Sequence, residues 1–120
     1  MQLDTVRVFV TDVVSSRPFY QDLLELNLEV DGSPNGYVVF ISGSISIVVE
    51  NSEAFDDTTG EPLVGRFTGL SFRVSNISES YNKLIESGVK FLEPPEKQPW
   101  GGLLASFRDP DGNILTLVQS

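Results

Sequence analysis

The 120-residue sequence contains neither cysteine nor histidine. Without a thiolate or an imidazole, the chain has no means of forming a disulfide, a zinc finger, a cysteine nucleophile or a Ser-His-Asp triad. Carboxylate oxygens are then the only strong side-chain ligands left for a metal ion. The length suits a single domain. A content of 40% hydrophobic and 10% aromatic residues is typical of a folded chain.

Basic residues are also few: 8 Lys and Arg stand against 17 Asp and Glu, a net charge of −9. This balance disfavours nucleic acid and anionic membranes as partners, because both bind positively charged surfaces. The whole excess lies within residues 18–65, which hold nine acids and no base. Two interpretations stay open here, a solvated acidic face and a negative field that attracts a cationic ligand.

Long apolar runs are absent as well. No run approaches the roughly 20 residues that span a bilayer. Asp4 and Arg7 interrupt the N-terminal run that a signal peptide would need. We therefore expect a cytoplasmic protein.

The second half of the chain repeats the first. Residues 6–12 (VRVFVTD) resemble residues 70–76 (LSFRVSN), and residues 19–25 (FYQDLLE) resemble residues 80–86 (SYNKLIE). The first pair alternates with the period of a half-buried strand, whereas the second places apolar residues at helical spacing. A short strand and then an apolar hairpin follow the helix in each half.

These elements predict an α+β fold of two βαβββ modules. We expect the modules, about 1–50 and 66–120, to form a curved mixed sheet around a shared cavity, because one helix covers only one face of a sheet. Residues 51–65 are expected to be an acidic linker. Together they make one domain, residues 1–120.

Local signals set the expected helix ends. Asp12 and Asn76 stand where a helix would begin, and Pro18 suits the first turn of the first helix. Asn27 and Gly88 follow the two helices at equivalent places, where a left-handed C-cap residue is expected.

Strand parity selects the residues that face the cavity. On the first strand these include Arg7 and Phe9, and on its repeat they include Ser71 and Arg73. Both arginines either pair with acids such as Asp4 or Glu50, or recognise a carboxylate, phosphate or enediolate oxygen.

Two further aromatic residues are candidates for the cavity. Trp100 stands in the Pro- and Gly-rich segment 93–102, where it either covers a pocket mouth or plugs the edge of the core. Phe107, with Phe9, is expected to add apolar wall. Residues 109–113 (DPDGN) are expected to form a tight hairpin turn rather than a metal-binding loop.

The doubled pattern, with FYQDLL at residues 19–24 and FRDPDGN at residues 107–113, resembles the vicinal oxygen chelate superfamily. That superfamily includes glyoxalase I, extradiol dioxygenases, fosfomycin-resistance enzymes and bleomycin-resistance proteins. The resemblance covers almost the whole chain. It implies a cavity built by two βαβββ modules and often completed by dimerisation, so we expect a homodimer that binds a small molecule.

The resemblance also implies four equivalent strand positions at which the superfamily's enzymes hold a divalent metal with His and Glu. These positions fall at Thr5, Ile47, Gly69 and Thr116. None of these residues is a normal metal ligand, and Glu50 is the only carboxylate nearby. We therefore expect no metal and no cofactor.

The function that the resemblance then implies is metal-independent binding of a cationic or aromatic small molecule, such as an antibiotic, in the manner of bleomycin-resistance proteins. The alternative is a metal-free lyase or isomerase in which Arg7 and Arg73 stabilise an oxyanion and Glu50 acts as base. A structural or regulatory dimer without a ligand is the third hypothesis. The expected ligand-binding residues are Arg7, Phe9, Ile47, Ser71, Arg73, Trp100, Phe107 and Thr116.

Overall fold

The computed structural model describes residues 1–52 and 62–120, which divide into two units, Met1–Arg66 and Phe67–Ser120. Most of the expected linker 51–65 lies outside the described residues, including the acids at positions 53, 56, 57 and 61. Strand β4 includes Asn51, so the first module extends slightly beyond residue 50. The two units are described in turn.

The first unit is a strand, a helix and three further strands. Its elements are β1 (Thr5–Val10), α1 (Val13–Pro18), β2 (Asn27–Gly32), β3 (Tyr37–Ser42) and β4 (Ile45–Asn51). The sheet order is β1-β4-β3-β2, with β1 parallel to β4 and the other pairs antiparallel. A mixed sheet results because the helix carries the chain away from β1 before the hairpin returns beside it.

The first helix begins at the expected residue but continues differently. Asp12 caps it by accepting a hydrogen bond from the Val14 N–H at 3.0 Å. Pro18 is the last residue of α1, not part of its first turn, and the chain continues as a π-helical turn over Phe19–Leu23. The left-handed residue that follows is Glu25 (φ 57°), so the prediction for Asn27 is wrong.

One face of the first sheet is buried against α1 and the π-helical turn. Tyr20 is fully buried, and its ring centroid lies 6.0 Å from that of Phe40. Cross-strand pairing places six buried side chains on this face: Val8, Val10, Val38, Phe40, Ile47 and Val49. We call this the helix face and the opposite one the far face.

The second unit repeats this order. Its elements are β5 (Phe67–Arg73), α2 (Ile77–Glu86), β6 (Lys90–Phe91), β7 (Glu96–Lys97), β8 (Leu103–Arg108) and β9 (Ile114–Gln119). The sheet order is β5-β9-β8-β6, with β5 parallel to β9 and β7 also paired to β8. The short strand β7 was not predicted, because it lies within residues 93–102, whose Pro- and Gly-rich composition is typical of a loop.

The second helix begins and ends as the sequence predicts. Asn76 caps it by accepting a hydrogen bond from the Glu79 N–H at 3.1 Å, and Gly88 follows with a φ of 90°. The face of the second sheet that packs against α2 is likewise its helix face. Phe107 is fully buried there, its ring centroid lies 5.2 Å from that of Phe91, and the Phe91 ring contacts Tyr81 of α2. The helix face of each unit is therefore an aromatic and aliphatic core.

The segment 109–113 is a tight turn between β8 and β9, as predicted. The Asp109 carboxylate accepts hydrogen bonds from the N–H groups of Asp111 and Asn113 and from the Asn113 side chain, at 2.8–2.9 Å. Gly112 supplies the positive φ of 85° that the turn requires. This carboxylate thus stabilises the turn itself.

The α+β class with two modules is confirmed. Within the described ranges, no helix has both the length and the apolar character needed to cross a bilayer. The arrangement of the modules around a shared cavity stays a prediction.

Candidate functional site

The far face of the first sheet carries the residues that parity selects. Register places Arg7 beside Val48, and Phe9 beside Glu50, which in turn pairs with Tyr37 on β3. Side chains of directly paired residues share one face of a sheet. Arg7, Phe9, Tyr37 and Glu50 therefore form one cluster on three adjacent strands.

Arg7 and Glu50 form a bidentate ion pair at the centre of this cluster. Arg7 Nε donates to Glu50 Oε2 at 2.8 Å, and Nη2 donates to Oε1 at 3.0 Å. The Glu50 side chain is 8% exposed, whereas that of Arg7 is 43% exposed. The hydrogen bonds that Arg7 donates to the Glu50 carboxylate raise the pKa of Arg7 above its ordinary value. The sequence left open whether Arg7 pairs with an acid or recognises a ligand oxygen. In the structure it pairs with an acid, Glu50.

Aromatic rings border this ion pair. The Arg7 guanidinium carbon lies 5.2 Å from the centroid of the Phe9 ring, within range of a cation–π contact. The Tyr37 ring lies over Gly32, where a Cβ would overlap it. The centre of the first far face is thus a neutralised charge pair beside two aromatic rings.

The far face of the second sheet has different chemistry. Ser71, Thr116 and Ser106 stand in one row across β5, β9 and β8. The hydroxyl oxygens of Thr116 and Ser106 lie 2.9 Å apart in a hydrogen bond, and Thr116 is 4% exposed. Ser71 lies at the exposed edge of this row. Three hydroxyls therefore occupy positions where apolar side chains would be ordinary.

Arg73 lies two residues beyond Ser71 on the same edge strand. Its Nη1 donates to Ser120 Oγ at 2.9 Å. Across residues 1–52 and 62–120, no carboxylate lies within ion-pair distance of it. The sequence repeat aligns Phe9 with Arg73. Phe9 pairs with Glu50 on β4, and Arg73 pairs with Val118 on β9, so Val118 is the residue equivalent to Glu50. The second module thus has a valine at the place of the neutralising acid.

Trp100 is 60% exposed, so the alternative that it plugs the core edge is not what the structure has. Its ring lies against Gly102, where a Cβ would overlap it. The turn is closed by the Gln98 N–H, which donates to the Gly102 carbonyl oxygen at 2.8 Å. A glycine at 102 therefore seats the indole and leaves much of it accessible. Its role at a pocket mouth stays a prediction.

Two expected site residues need correction in their placement. Ile47 pairs with Val6 and Phe40 on the helix face, and Phe107 pairs with Leu115 on the helix face of its own sheet. Ile47 is 3% exposed, and Phe107 is fully buried. The apolar strand β4 conceals the parity of Ile47 in the sequence, whereas the polar neighbours Ser106 and Arg108 mark Phe107 as facing the opposite way. Both side chains belong to the core.

The positions that the superfamily uses for a metal do not fit one here. Thr5 is exposed with its hydroxyl donating to Asp4 at 2.5 Å, Ile47 is apolar, and Gly69 has no side chain. Thr116 is hydrogen bonded to Ser106. In the part of the chain that the structure describes, no group of three or more carboxylates is placed to hold an ion. No catalytic step through a metal is derived.

Sequence reasoning missed three contributors to the far faces. Ser106 and Tyr37 enter through cross-strand pairing with Thr116 and Glu50, and Lys90 enters through pairing with Arg108. Each lies on a strand whose partner is far away or ambiguous in the sequence. A correct hairpin register was the signal that could have found them.

The comparison with known families decides the relationship. The sequence matches the Glyoxalase-like domain family over residues 3–120. The chain belongs to this family. This confirms the resemblance to the vicinal oxygen chelate superfamily, which rested on the doubled βαβββ pattern and the turn at residues 109–113. Membership fixes the fold, and it leaves open which ligand this glyoxalase-like chain takes.

Three relatives define the neighbourhood of this glyoxalase-like chain. A glyoxalase/bleomycin resistance protein/dioxygenase superfamily structure from Sphaerobacter thermophilus DSM 20745 superposes with a TM-score of 0.86 at 28% identity, covering 100% of this chain and 98% of the other. The bleomycin resistance protein of Klebsiella pneumoniae is 27% identical, covering 91% of this chain and 85% of that protein. TnmS3, an antibiotic binding protein from Streptomyces sp. CB03234, has a TM-score of 0.80 at 25% identity, covering 99% and 95%. Two of these three are described by binding of, or resistance to, an antibiotic.

Proposed function

We propose that the protein binds a small organic molecule, such as an antibiotic, without the help of a metal ion. The observation that carries this is the residue set Thr5, Ile47, Gly69 and Thr116 at the superfamily's metal positions, which offers no carboxylate or imidazole. The fold is retained while the ligands for its metal chemistry are missing. Sequestration of a ligand needs only the fold and a complementary surface.

An exposed aromatic residue supports a binding role. Trp100 stands 60% exposed on its loop, and Phe9 is a half-buried ring beside Arg7 on the far face of the first sheet. An exposed ring stacks on flat organic groups with little loss of side-chain entropy. The similarity to the antibiotic binding protein TnmS3 and to a bleomycin resistance protein favours an antibiotic as the ligand.

The acidic segment supports the cationic form of the proposal. All of the net charge of −9 resides in residues 18–65. A field of one sign raises the encounter rate of an oppositely charged ligand and weakens as salt increases. Since Arg7 neutralises Glu50, attraction of a cation falls to the other acids of this segment.

Titration with bleomycin tests the proposal, because Trp100 is the only tryptophan and reports on its own surroundings. We expect quenching of its fluorescence that saturates, with the same dissociation constant before and after treatment with a chelator. A Gln/Asn variant of the four acids at positions 53, 56, 57 and 61 should bind more slowly at low salt. Absence of quenching at high micromolar bleomycin would contradict the drug-binding form. Binding that a chelator abolishes and a divalent metal restores would contradict metal independence.

The metal-free lyase or isomerase receives less support. Its base would be Glu50, yet both carboxylate oxygens already accept hydrogen bonds from Arg7. A base occupied in this way must break the ion pair before it takes a proton. Arg73 alone remains as an oxyanion-stabilising group.

We also propose that the protein is a homodimer, as the superfamily resemblance implies. Light scattering coupled to size exclusion should then give a mass twice the 13.2 kDa of the chain. A mass of one chain at micromolar concentration would contradict this part of the proposal.

A further inference from the structure

We infer that the far face of the second sheet binds a carboxylate group attached to an aromatic or aliphatic body. This inference rests on the proposed function and adds one feature to the ligand, a carboxylate bound by the second module, which is separate from any cationic part attracted by the acidic segment 18–65. It assigns the recognition of negative charge to Arg73 and Ser71, with the hydrogen-bonded Thr116 and Ser106 hydroxyls behind them on the same face of the sheet.

Most of the charged residues on this face are basic. Arg73, Arg108 and Lys90 lie on it through pairing along β5, β8 and β6. Within these described strands and β7, Glu96 is the one acid on the same face. Although residues 66–120 have no net charge, this face of the unit is positive. Its field favours an anionic group.

The Arg73 guanidinium has hydrogen-bond donors beyond the one that contacts Ser120. A guanidinium has five N–H donors in a planar fork, and the contact with Ser120 uses one nitrogen. That partner is a neutral hydroxyl, so the positive charge is not compensated by a described carboxylate. Arg7 in the first module illustrates the alternative, because two of its nitrogens donate to the Glu50 carboxylate. An exposed, uncompensated fork matches a carboxylate with two parallel hydrogen bonds.

The hydroxyls of the row differ in how they are engaged. One of the Thr116 and Ser106 hydroxyls donates to the other. The Ser71 side-chain hydroxyl makes no hydrogen bond with the described residues, and Ser71 is exposed beside Arg73 on the same strand. Its hydroxyl is therefore available to donate to a ligand oxygen.

The remaining side chains define the body of the ligand. Leu104 and Val118 lie in the same cross-strand row as Arg73, and Ile114 occupies the other end of this face. These partly exposed aliphatic groups suit a flat apolar body whose carboxylate reaches the edge strand. An aromatic carboxylate combines both features.

Two matched probes test the inference: 2-naphthoate and its neutral analogue 2-naphthamide, followed by amide chemical shifts of the full chain. We expect naphthoate to shift resonances of β5, β8 and β9 and to bind at least about fivefold more tightly than naphthamide. The Arg73→Gln variant should weaken naphthoate binding by about fivefold and leave naphthamide unchanged, and Ser71→Ala should weaken it less. Lys97→Gln is the control, because this residue loses the same charge from the opposite face of the sheet.

The outcomes separate this inference from the proposed function. Equal binding of the two probes, or equal effects of Arg73→Gln and Lys97→Gln, would overturn carboxylate recognition and leave small-molecule binding intact. Absence of binding by either probe at millimolar concentration would also overturn it, whereas the bleomycin titration tests the proposed function on its own.

Discussion

The two modules share one face of their sheets and differ on the other. Each helix face buries aromatic rings, Phe40 with Tyr20 in the first module and Phe107 with Phe91 in the second. The far faces diverge: the first carries the Arg7–Glu50 pair, and the second carries Arg73 opposite Val118. Packing constrains the helix face to similar residues in both copies. The residues of the far face can differ between the modules without disturbing the core, so substitutions on this face can change the ligand that is bound.

The largest expected effect tests the shared face. Phe40→Ala and Phe107→Ala each remove a fully buried ring and should each lower the free energy of unfolding by about 3–5 kcal/mol. Chemical denaturation measures both. Leu92→Ala, at an exposed position, is the control and should cost far less. A loss below about 1 kcal/mol at either phenylalanine would break the equivalence of the two cores.

The next effect sharpens the difference between the far faces. Arg7→Gln leaves the carboxylate of Glu50, which is 8% exposed, without its cation and should cost about 1–2 kcal/mol after allowance for the exposure of Arg7. Arg73→Gln should change stability by less than about 0.5 kcal/mol, because no described carboxylate depends on it. Thermal melts of the two variants give the comparison. Equal losses would mean that both arginines play the same structural role.

The smallest effect concerns an ion pair that joins helix to sheet in the first module. Arg17 Nη1 lies 2.6 Å from Asp31 Oδ2, and hydrogen bonds from the Ser33 side chain and backbone, with the charge of Arg17, lower the pKa of Asp31. A carboxyl with a lowered folded-state pKa stabilises the fold above its unfolded pKa of about 3.9 and loses that contribution as pH falls through the folded value.

Asp31→Asn should therefore lower the melting temperature slightly at pH 6, and the difference from the parent should vanish toward pH 2. The effect is small because both side chains are well exposed. A difference that persists unchanged at pH 2 would assign it to packing rather than to charge. In the second module, Glu86→Gln serves as the control on an exposed helix end.

The repeat in the sequence was enough to predict the module order, both helix N-caps and the strands of both hairpins. It was enough because each rests on local signals, namely alternation, capping residues and the turn at residues 109–113. The predictions for Pro18 and Asn27 were wrong. Pro18 ends α1, and the π-helical turn that follows it has no local signal in the sequence. Tertiary packing of Phe19 and Tyr20 accompanies it.

The sheet face of a residue was predictable where strands alternate. Arg7, Phe9, Ser71 and Arg73 lie on the far faces, as predicted, because β1 and β5 alternate in the sequence. Ile47 was misplaced because its strand β4 is apolar on both faces, so that parity has no polar reference there. Phe107 was misplaced although Ser106 and Arg108 flank it as polar residues of the opposite face, a signal that the sequence did offer. Partners such as Glu50 and Ser106 depend on register, which long-range pairing decides.

Transferring the acid from the first far face to the second tests whether an uncompensated Arg73 distinguishes the second module. Val118→Glu places a carboxylate directly across from Arg73, at the position equivalent to Glu50. Titration of this variant with 2-naphthoate should give an affinity about tenfold lower than that of the parent, since the guanidinium is neutralised and the added charge repels the ligand. Val118→Gln, of the same size but neutral, should retain most of the affinity. Unchanged binding by Val118→Glu would contradict the account that an uncompensated Arg73 distinguishes the second module.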